Sequence, residues 1–179
     1  MKRRAIFFDR DGVLVVPQVR DGKTYAVMTL EDFHLYSDTE IALRRSRDAG
    51  FVNVVVTNQP DVASGIVSKS IVEAMHLELC RLAAIDRIEV SYDASGSNAR
   101  RRKPNPGMLF DAAEAEDLDL VASFVIGDRS IDMEAARSAG CTAVFIDRGY
   151  ERERRPRDYD HSAESILDAV SWCIKQGGA

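Results

Sequence analysis

Short, mostly apolar runs that alternate with longer amphipathic stretches constrain the fold of this chain more than any other feature. The runs that we interpret as strands cover residues 5–8, 51–56, 87–90, 123–126 and 142–146. Runs of this kind are typical of strands that are buried on both faces. The stretches between them repeat apolar residues at helical spacing, as in Ile71, Met75 and Leu79. Alternating strands and helices predict a three-layer, Rossmann-like α/β fold, with helices on both faces of a parallel central sheet.

Three segments do not fit this alternation. Residues 10–36 are too long for a tight turn between a strand and a helix, and we predict that they form a flap over the end of the first strand. Residues 93–107 form a polar loop that we expect near the substrate, and the charged run of residues 151–158 predicts a solvated turn. The sequence has no internal repeat, no linker and no large insertion. We therefore predict a single domain over residues 1–179, with a minimal cap or none.

The charge balance and the cysteines narrow the class of protein. Lys and Arg total 24 and Asp and Glu total 29, so the net charge is −5, which argues against a main role in binding nucleic acid or an anionic membrane. No apolar run reaches the roughly 20 residues of a membrane span, and the N-terminal run ends at Asp9, too early for a secretory signal. The three widely spaced cysteines form no disulfide framework. We predict a cytoplasmic protein, a monomer or weak homo-oligomer, that binds a small molecule rather than nucleic acid or a membrane.

The residues best suited to chemistry occupy positions where a parallel sheet binds its ligands, beyond the carboxyl ends of the strands. Asp9 and Asp11 come after the first strand, and Asp128 comes after the fourth. Lys103 precedes the helix that leads into the fourth strand. The other candidates for the same crevice are Thr57, Asn58, Gln59, Arg102 and Arg129. We expect three carboxylates, a hydroxyl, an amide and a lysine to converge there.

These residue types suit magnesium-dependent phosphoryl transfer. Close carboxylates disfavour each other's ionised form unless a cation joins them, and Mg²⁺ prefers carboxylate and water oxygens together with a phosphate. Thr57 and Lys103 offer a hydroxyl donor and a positive charge to the phosphate oxygens. Asp9 and Asp11 lie two residues apart in an extended stretch and therefore face the same way. One of these two carboxylates could attack phosphorus, and the other could protonate the leaving oxygen and then activate water.

Each motif taken alone has an ordinary structural explanation. The D-x-D-G pattern also occurs in turns and calcium loops, T-N-Q in capped turns, and R-R-R-K-P in solvated basic loops. Their occurrence together, in the order that brings all of them to one crevice, favours the catalytic interpretation.

Four motifs resemble the signatures of the haloacid dehalogenase superfamily, namely D-R-D-G, V-V-T-N-Q, R-R-K-P-N-P-G-M and G-D-R-S-I-D. The resemblance extends from about residue 5 to residue 175. The stretch R-K-P-x-P-G-M is similar to one branch, the phosphatases of D,D-heptose 1,7-bisphosphate and histidinol phosphate. The resemblance implies that Asp9 is the nucleophile and that Asp11 is the general acid and base.

The resemblance also implies binding roles for the other candidates. Mg²⁺ would be held by the side chains of Asp9 and Asp128 and by the backbone carbonyl of Asp11. Thr57 and Lys103 would hold the phosphoryl group. Contacts with the substrate would come from Asn58, Gln59, Arg102 and Arg129.

One departure from the resembled phosphatases concerns zinc. Those proteins usually carry a zinc loop with Cys and His ligands just before R-K-P, whereas residues 91–103 contain neither Cys nor His. A structural zinc site needs about four such ligands. We therefore expect no zinc, and a short loop, held by its own turns and by packing, that is mobile without substrate. Pro60 and Asp61, where the family usually has Ser and Gly, are a further departure that bears on the choice of substrate.

We expect the chain to be a Mg²⁺-dependent phosphomonoester hydrolase that forms an aspartyl-phosphate and acts on a small phosphorylated metabolite. The resemblance favours a sugar bisphosphate such as D-glycero-D-manno-heptose 1,7-bisphosphate, with histidinol phosphate as an alternative. A receiver-like domain, which accepts phosphate without turnover, uses similar residues but places its acceptor, Thr and Lys after successive later strands. In this chain Lys103 instead precedes the strand that ends before Asp128. A nucleic-acid 3′-phosphatase has related motifs, but the net charge of −5 argues against it.

Overall fold

A six-stranded parallel sheet forms the centre of the computed structural model, which describes residues 2–150 and 155–178. All neighbouring strands in this sheet run in the same direction. In spatial order the strands are β5 (Arg87–Ser91), β4 (Val52–Asn58), β1 (Ala5–Phe8), β6 (Phe124–Gly127), β7 (Thr142–Ile146) and β8 (His161–Ala163). The central strand β1 pairs with β4 on one side and with β6 on the other, so the chain segments that follow these three strands emerge side by side.

Helices cover both faces of the sheet and complete the three layers. Their bounds are α1 (Thr39–Asp48), α2 (Lys69–Leu82), α3 (Gly107–Glu116), α4 (Ser130–Ala139) and α5 (Ile166–Gly177). The helices α1, α2 and α5 share one core cluster with Phe8, whereas α3 and α4 share the opposite cluster with Phe7. Full burial of a side chain such as these stabilises the fold by about 1.5–3 kcal/mol. The alternation of neighbouring residues between two cores confirms the predicted α/β fold with a parallel sheet covered on both faces.

The predicted central strands agree closely with the observed ones. Residues 5–8 and 142–146 form strands with the predicted bounds, and the other three predicted strands begin or end within one or two residues of the observed positions. The strand β8, with only three residues, escaped prediction. A strand this short carries too little apolar pattern to be recognised.

The segment of residues 10–36 contains a small hairpin rather than a folded cap. Its strands are β2 (Gln18–Arg20) and β3 (Lys23–Tyr25), which pair antiparallel. Asp21 and Gly22 form the two-residue turn, with φ angles of 51° and 72°. Asp-Gly between two short strands is the usual signal for such a turn, so the sequence does indicate this hairpin, although it is absent from the predicted elements.

The charged run predicted as a solvated turn lies partly outside the described residues, because residues 151–154 belong to neither described range. Arg155, where the description resumes, forms an ion pair of 2.9 Å with Asp147 beyond the end of β7. Within the two described ranges, none of the helices is both long enough and apolar enough to cross a lipid bilayer.

Candidate active site

A pocket of about 190 Å³ opens beyond the carboxyl ends of β1 and β4. Six of the predicted site residues line it: Asp9, Asp11, Thr57, Asn58, Lys103 and Arg129. The hairpin contributes Thr24 and Tyr25, and the turn after β4 contributes Pro60 and Asp61. The topology therefore brings together residues that are up to 120 positions apart, from Asp9 to Arg129.

Lys103 places a buried positive charge in this pocket, in contact with two carboxylates. Its ammonium forms an ion pair with Asp9 Oδ1 at 2.9 Å, and it donates to Asp132 Oδ1 at 2.6 Å and to the backbone carbonyl of Val56 at 2.8 Å. Burial alone would lower the pKa of Lys103, but the Asp132 and Asp9 carboxylates outweigh it and raise the pKa above its ordinary value. Lys103 is therefore a fixed positive charge beside the predicted nucleophile.

The backbone of Lys103 is fastened to the end of β4 by Asn58. The Asn58 side chain accepts a hydrogen bond from the Lys103 backbone N–H at 3.1 Å and donates one to the Lys103 carbonyl at 3.0 Å. These two hydrogen bonds connect the end of β4 to the loop that carries Lys103, 45 residues later in the sequence. Asn58 thereby positions the lysine while its side chain also borders the pocket.

Three carboxylates gather where a cation was predicted. One oxygen each of Asp9, Asp128 and Asp132 lies within 4.8 Å of the others. Burial, and next the charges of Asp9 and Asp132, raise the pKa of Asp128 well above its ordinary value. Both Asp128 oxygens are buried and have no hydrogen-bond partner. Orphaned carboxylate oxygens beside a second carboxylate fit a divalent cation, which would supply the missing interactions.

Asp132 has no role among the residues predicted from the sequence, and the structure gives it one. Its Oδ1 accepts from Lys103 and its Oδ2 accepts from the backbone N–H of Arg129 at 3.1 Å. Both oxygens therefore already have donors, in contrast to those of Asp128. The position of Asp132 in the first turn of α4 could have been read from the G-D-R-S-I-D motif, but its pairing with Lys103 depends on tertiary contacts.

The side chain of Asp11 is held by a buried arginine. Arg10, whose residue is 0% exposed, donates from Nε to Asp11 Oδ2 at 2.9 Å and from Nη2 to Asp11 Oδ1 at 3.2 Å. Arg10 Nη1 lies 3.3 Å from Nε2 of His76. Burial, and then the positive charge of Arg10, lower the pKa of His76 to about 4. The neutral ring can therefore accept a hydrogen bond from Arg10, behind the predicted acid and base.

Two predicted substrate-binding residues do not line the pocket. Gln59 is only 1% exposed, and its amide donates to Asp11 Oδ2 and to Thr57 Oγ1, both at 2.9 Å. Arg102 donates to the backbone carbonyl of Asp93 at 3.2 Å. In this structure Gln59 orients two pocket residues from behind, and Arg102 braces the polar loop. Their direct contacts with a substrate stay predictions.

Arg129 connects the pocket to the hairpin. It lines the pocket, and its guanidinium donates to the backbone carbonyl of Thr24 at 3.3 Å and to the Thr24 hydroxyl. This contact holds β3 of the hairpin against the loop that follows β6. The hairpin is thus tied to the same residues that surround the predicted cation site.

The polar loop of residues 93–107 is fastened by arginines. Arg101 forms ion pairs with Glu89 on β5 at 2.6 Å and with Asp111 on α3 at 2.7 Å. Arg100 pairs with the other oxygen of Asp111 at 2.6 Å. From the sequence, turns and packing were expected to hold this loop, and the structure adds a network of ion pairs that anchors it to the sheet and to a helix.

Comparison with known proteins identifies relatives over almost the whole chain. A family model described as HAD-hydrolase-like matches residues 100–173. A D-glycero-D-manno-heptose-1,7-bisphosphate 7-phosphatase of Thermosynechococcus vestitus is 32% identical, over 96% of this chain and 96% of the relative. The histidine biosynthesis bifunctional protein HisB of Bacteroides fragilis is 33% identical over 96% of this chain but only 47% of its own length.

Solved structures show the same fold. The D,D-heptose 1,7-bisphosphate phosphatase of B. bronchiseptica, complexed with magnesium and phosphate, superposes with a TM-score of 0.81. The match covers 97% of this chain and 99% of that one, at 24% sequence identity. At this identity the likeness is one of fold alone.

Proposed function

Since the chain belongs to the haloacid dehalogenase superfamily and is a phosphatase, we propose that it hydrolyses a small phosphorylated metabolite, with a sugar bisphosphate such as D-glycero-D-manno-heptose 1,7-bisphosphate as the first candidate. The observation that carries this proposal is the contact of Lys103 with Asp9 inside one pocket that Asp11 and Thr57 also line. A nucleophile, an acid and base, and phosphate-binding groups are the components that phosphoryl transfer requires. The family favours turnover over the non-enzymatic phosphoacceptor alternative, because the matched family model and relatives are hydrolases.

In the proposed mechanism, an oxygen of Asp9 attacks phosphorus and forms an aspartyl-phosphate while the bond to the leaving oxygen breaks. Asp11 gives its proton to that oxygen and the dephosphorylated product leaves. Asp11 then takes a proton from water, whose oxygen attacks phosphorus, so that inorganic phosphate leaves and the Asp9 carboxylate is restored. Lys103 and Thr57 would bind the phosphoryl oxygens as charge shifts onto them.

Mg²⁺ would be held by the side chains of Asp9 and Asp128 and by the backbone carbonyl of Asp11. The orphaned oxygens of Asp128 support this assignment. When bound, the cation would neutralise charge on the phosphoryl group and orient it toward Asp9. Asp132, whose two oxygens already have donors, would act on the site through Lys103.

The leaving group would extend toward the mouth of the pocket. Arg129 and Asn58 line that space, so we propose them as substrate contacts, with Arg102 and Gln59 as contacts that need a side-chain movement. Arg129 offers a bidentate cation that suits a second phosphate. We also keep the cytoplasmic location and the monomeric or weakly oligomeric state as predictions.

Histidinol phosphate is the second candidate substrate, and one residue favours it. Asp61 places an acidic side chain among the residues that line the pocket. A carboxylate there would attract the amino group of histidinol phosphate, whereas it would repel a second phosphate. The match to the bifunctional histidine biosynthesis protein is consistent with this alternative.

Phosphate release from a panel of esters tests the proposal. The panel contains heptose 1,7-bisphosphate, histidinol phosphate, p-nitrophenyl phosphate and a 3′-phosphorylated oligonucleotide, each with Mg²⁺ and with chelator. We expect repeated turnover of a small ester only with Mg²⁺, and at least a thousandfold loss in Asp9→Asn, which is about 4 kcal/mol of transition-state stabilisation. Preference for the oligonucleotide, or an Asp9→Asn variant with a tenth of the activity, would contradict the proposal.

A further inference from the structure

Three unsatisfied polar atoms lie together beside the predicted cation site. Within residues 2–150 and 155–178, the buried side-chain atoms without a hydrogen-bond partner are Asp128 Oδ1, Asp128 Oδ2 and the hydroxyl oxygen of Tyr150. Buried polar groups rarely stay unpaired, because an unmade hydrogen bond costs about 1–3 kcal/mol. The two Asp128 oxygens and the Tyr150 hydroxyl lie close together without partners. We therefore expect that their interactions are completed only when a cation binds.

The hydroxyl of Tyr150 and the Asp128 carboxylate face the same point above Gly12. A methyl group placed on Gly12 would overlap Asp128 Oδ2 and would lie 3.0 Å from the Tyr150 oxygen. Gly12 also has a φ angle of 92°, which L side chains rarely adopt. The absent side chain leaves room for the tyrosine hydroxyl to approach the carboxylate from the side of β7.

The segment that carries Tyr150 is fixed to the loop after β1. Arg148 donates from Nε to the backbone carbonyl of Gly12 at 2.8 Å. The Arg148 guanidinium carbon also lies 3.8 Å from the centre of the Tyr36 ring, a close cation–π contact. The same segment and Asp128 border a second cavity of about 280 Å³. Tyr150 and Asp128 thus share a cavity that is separate from the pocket lined by Asp9 and Lys103.

We propose that Tyr150 is a positioning residue for the metal ligand Asp128, with its hydroxyl donating a hydrogen bond to one carboxylate oxygen while the other oxygen binds the divalent cation. This role deepens the proposed function and rests on its metal site. Groups that hydrogen-bond a metal-binding carboxylate fix its orientation, and their loss typically weakens metal affinity about 10–100-fold. The tyrosine would act on metal affinity without touching the substrate.

Titration of metal-free protein with Mn²⁺, followed by the electron paramagnetic resonance of the free ion, tests this role without any substrate. In Tyr150→Phe, which removes only the hydroxyl, we expect the Mn²⁺ dissociation constant to rise about tenfold. The metal-free variant should melt at the wild-type temperature or above it, because Phe removes a buried hydroxyl that has no hydrogen-bond partner there. Tyr159→Phe is the matched control, since Tyr159 packs on the Phe145 ring at 5.4 Å, and its Mn²⁺ affinity should stay unchanged.

A second measurement uses the wild-type protein alone. With ¹³C at the hydroxyl-bearing carbon of its five tyrosines, Mg²⁺ should shift one resonance strongly, the one that Tyr150→Phe lacks. Equal Mn²⁺ affinity in wild type and Tyr150→Phe, or no tyrosine shift with Mg²⁺, would overturn the role of Tyr150. A wild type that binds no Mn²⁺ would overturn the metal site together with this role, whereas one that binds Mn²⁺ but hydrolyses no ester would overturn only the proposed function.

Discussion

Lys103 joins two carboxylates that belong to different parts of the chain, Asp9 after β1 and Asp132 in α4. The ammonium and the Asp132 carboxylate are each only 1% exposed at the side chain, so each needs the other as a counter-charge. A buried ion pair of this kind is weak evidence for stability, but the removal of one partner is costly. Lys103 therefore carries a structural role in addition to its proposed contact with phosphate.

The substitution Lys103→Met should lower the free energy of unfolding by about 3–5 kcal/mol, because it leaves the Asp132 carboxylate buried without a counter-charge. It should also reduce kcat and kcat/KM together, since the lost charge acts on the transferring group. Urea denaturation and phosphate release measure the two effects. Adding Asp132→Asn should restore much of the stability but none of the activity; a double variant that regains activity would show that Lys103 acts only on the fold.

His76 lies behind the loop that follows β1, where it accepts a hydrogen bond from Arg10, and burial together with that charge lowers its pKa from the ordinary 6.5 to about 4. In the unfolded chain the ring binds a proton below about pH 6.5, whereas in the folded protein it does so only near pH 4. The stability that neutral His76 provides is therefore present above pH 6.5 and is lost as the pH falls toward 4.

Replacing this ring by an amide, in His76→Gln, should flatten the loss of stability on acidification. Between pH 6.5 and 4 the free energy of unfolding of the wild type should fall by up to roughly 3 kcal/mol more than that of the variant. Denaturant titrations at a series of pH values provide the comparison. His34→Gln, at an exposed histidine, is the control; parallel pH profiles for wild type and His76→Gln would refute the burial of a neutral ring.

At the scale of elements, the loop of residues 93–107 is the segment whose anchoring matters most for the site, because it carries Lys103. The adjacent residues Arg100 and Arg101 both anchor this loop, but their ion-pair partners differ in burial. Arg101 reaches Glu89, whose side chain is only 5% exposed, whereas the more exposed Arg100 pairs with Asp111 alone. A nearly buried carboxylate loses more than an exposed one when its partner is removed.

This difference predicts unequal effects for the same substitution at neighbouring positions. Arg101→Met should lower the free energy of unfolding by about 1–2 kcal/mol and should reduce kcat, because the loop that holds Lys103 loses its tie to β5, although Glu89 keeps its ion pair with Arg87. Arg100→Met should cost less than about 1 kcal/mol and leave kcat unchanged. Thermal unfolding and steady-state kinetics of the pair provide the test, and equal behaviour of the two variants would contradict the anchoring role of Arg101.

The elements differ in how far the sequence alone could specify them. Central strands such as β1 and β7 were predicted with their correct bounds, because burial on both faces leaves a strong apolar pattern. The positions of Asp9, Asp11 and Asp128 followed from the rule that ligands bind beyond the strand ends. The partners of Lys103, Arg10 and Arg101 could not be derived, because they depend on side-chain directions that only the packed structure fixes.

At the scale of the whole molecule, the candidate metal cluster among the described residues consists of hard oxygen ligands. In the part of the chain that the structure describes, the cluster able to hold a metal consists of Asp9, Asp128 and Asp132. The cysteines Cys141 and Cys173 are buried, and burial raises the pKa of both thiols. Thiolates, which are the form that zinc binds, are therefore disfavoured at these positions.

We accordingly predict that the purified protein contains no stoichiometric zinc and that Mg²⁺ or Mn²⁺ supports its activity. Ion pairs of Arg100 and Arg101 occupy the loop of residues 93–107, which offers no Cys or His, and hard carboxylate oxygens favour Mg²⁺. Elemental analysis of protein prepared without chelator gives the zinc content directly. About one zinc per chain, or full activity after all divalent metal has been removed, would be the contrary result.

The hairpin of β2 and β3 is a position where the chain can accept insertions during evolution. Its two ends lie at buried residues, Val15 on one side and Val27 on the other, and the segment between them borders the pocket through Thr24 and Tyr25. Lengthening that segment would leave the register of β1 with its neighbours intact, since no hairpin residue pairs with the central sheet. Insertions at this hairpin can therefore add residues that contact a substrate without moving the residues at the ends of β1, β4 and β6. Substrate selectivity can in this way change during evolution while the catalytic groups keep their positions.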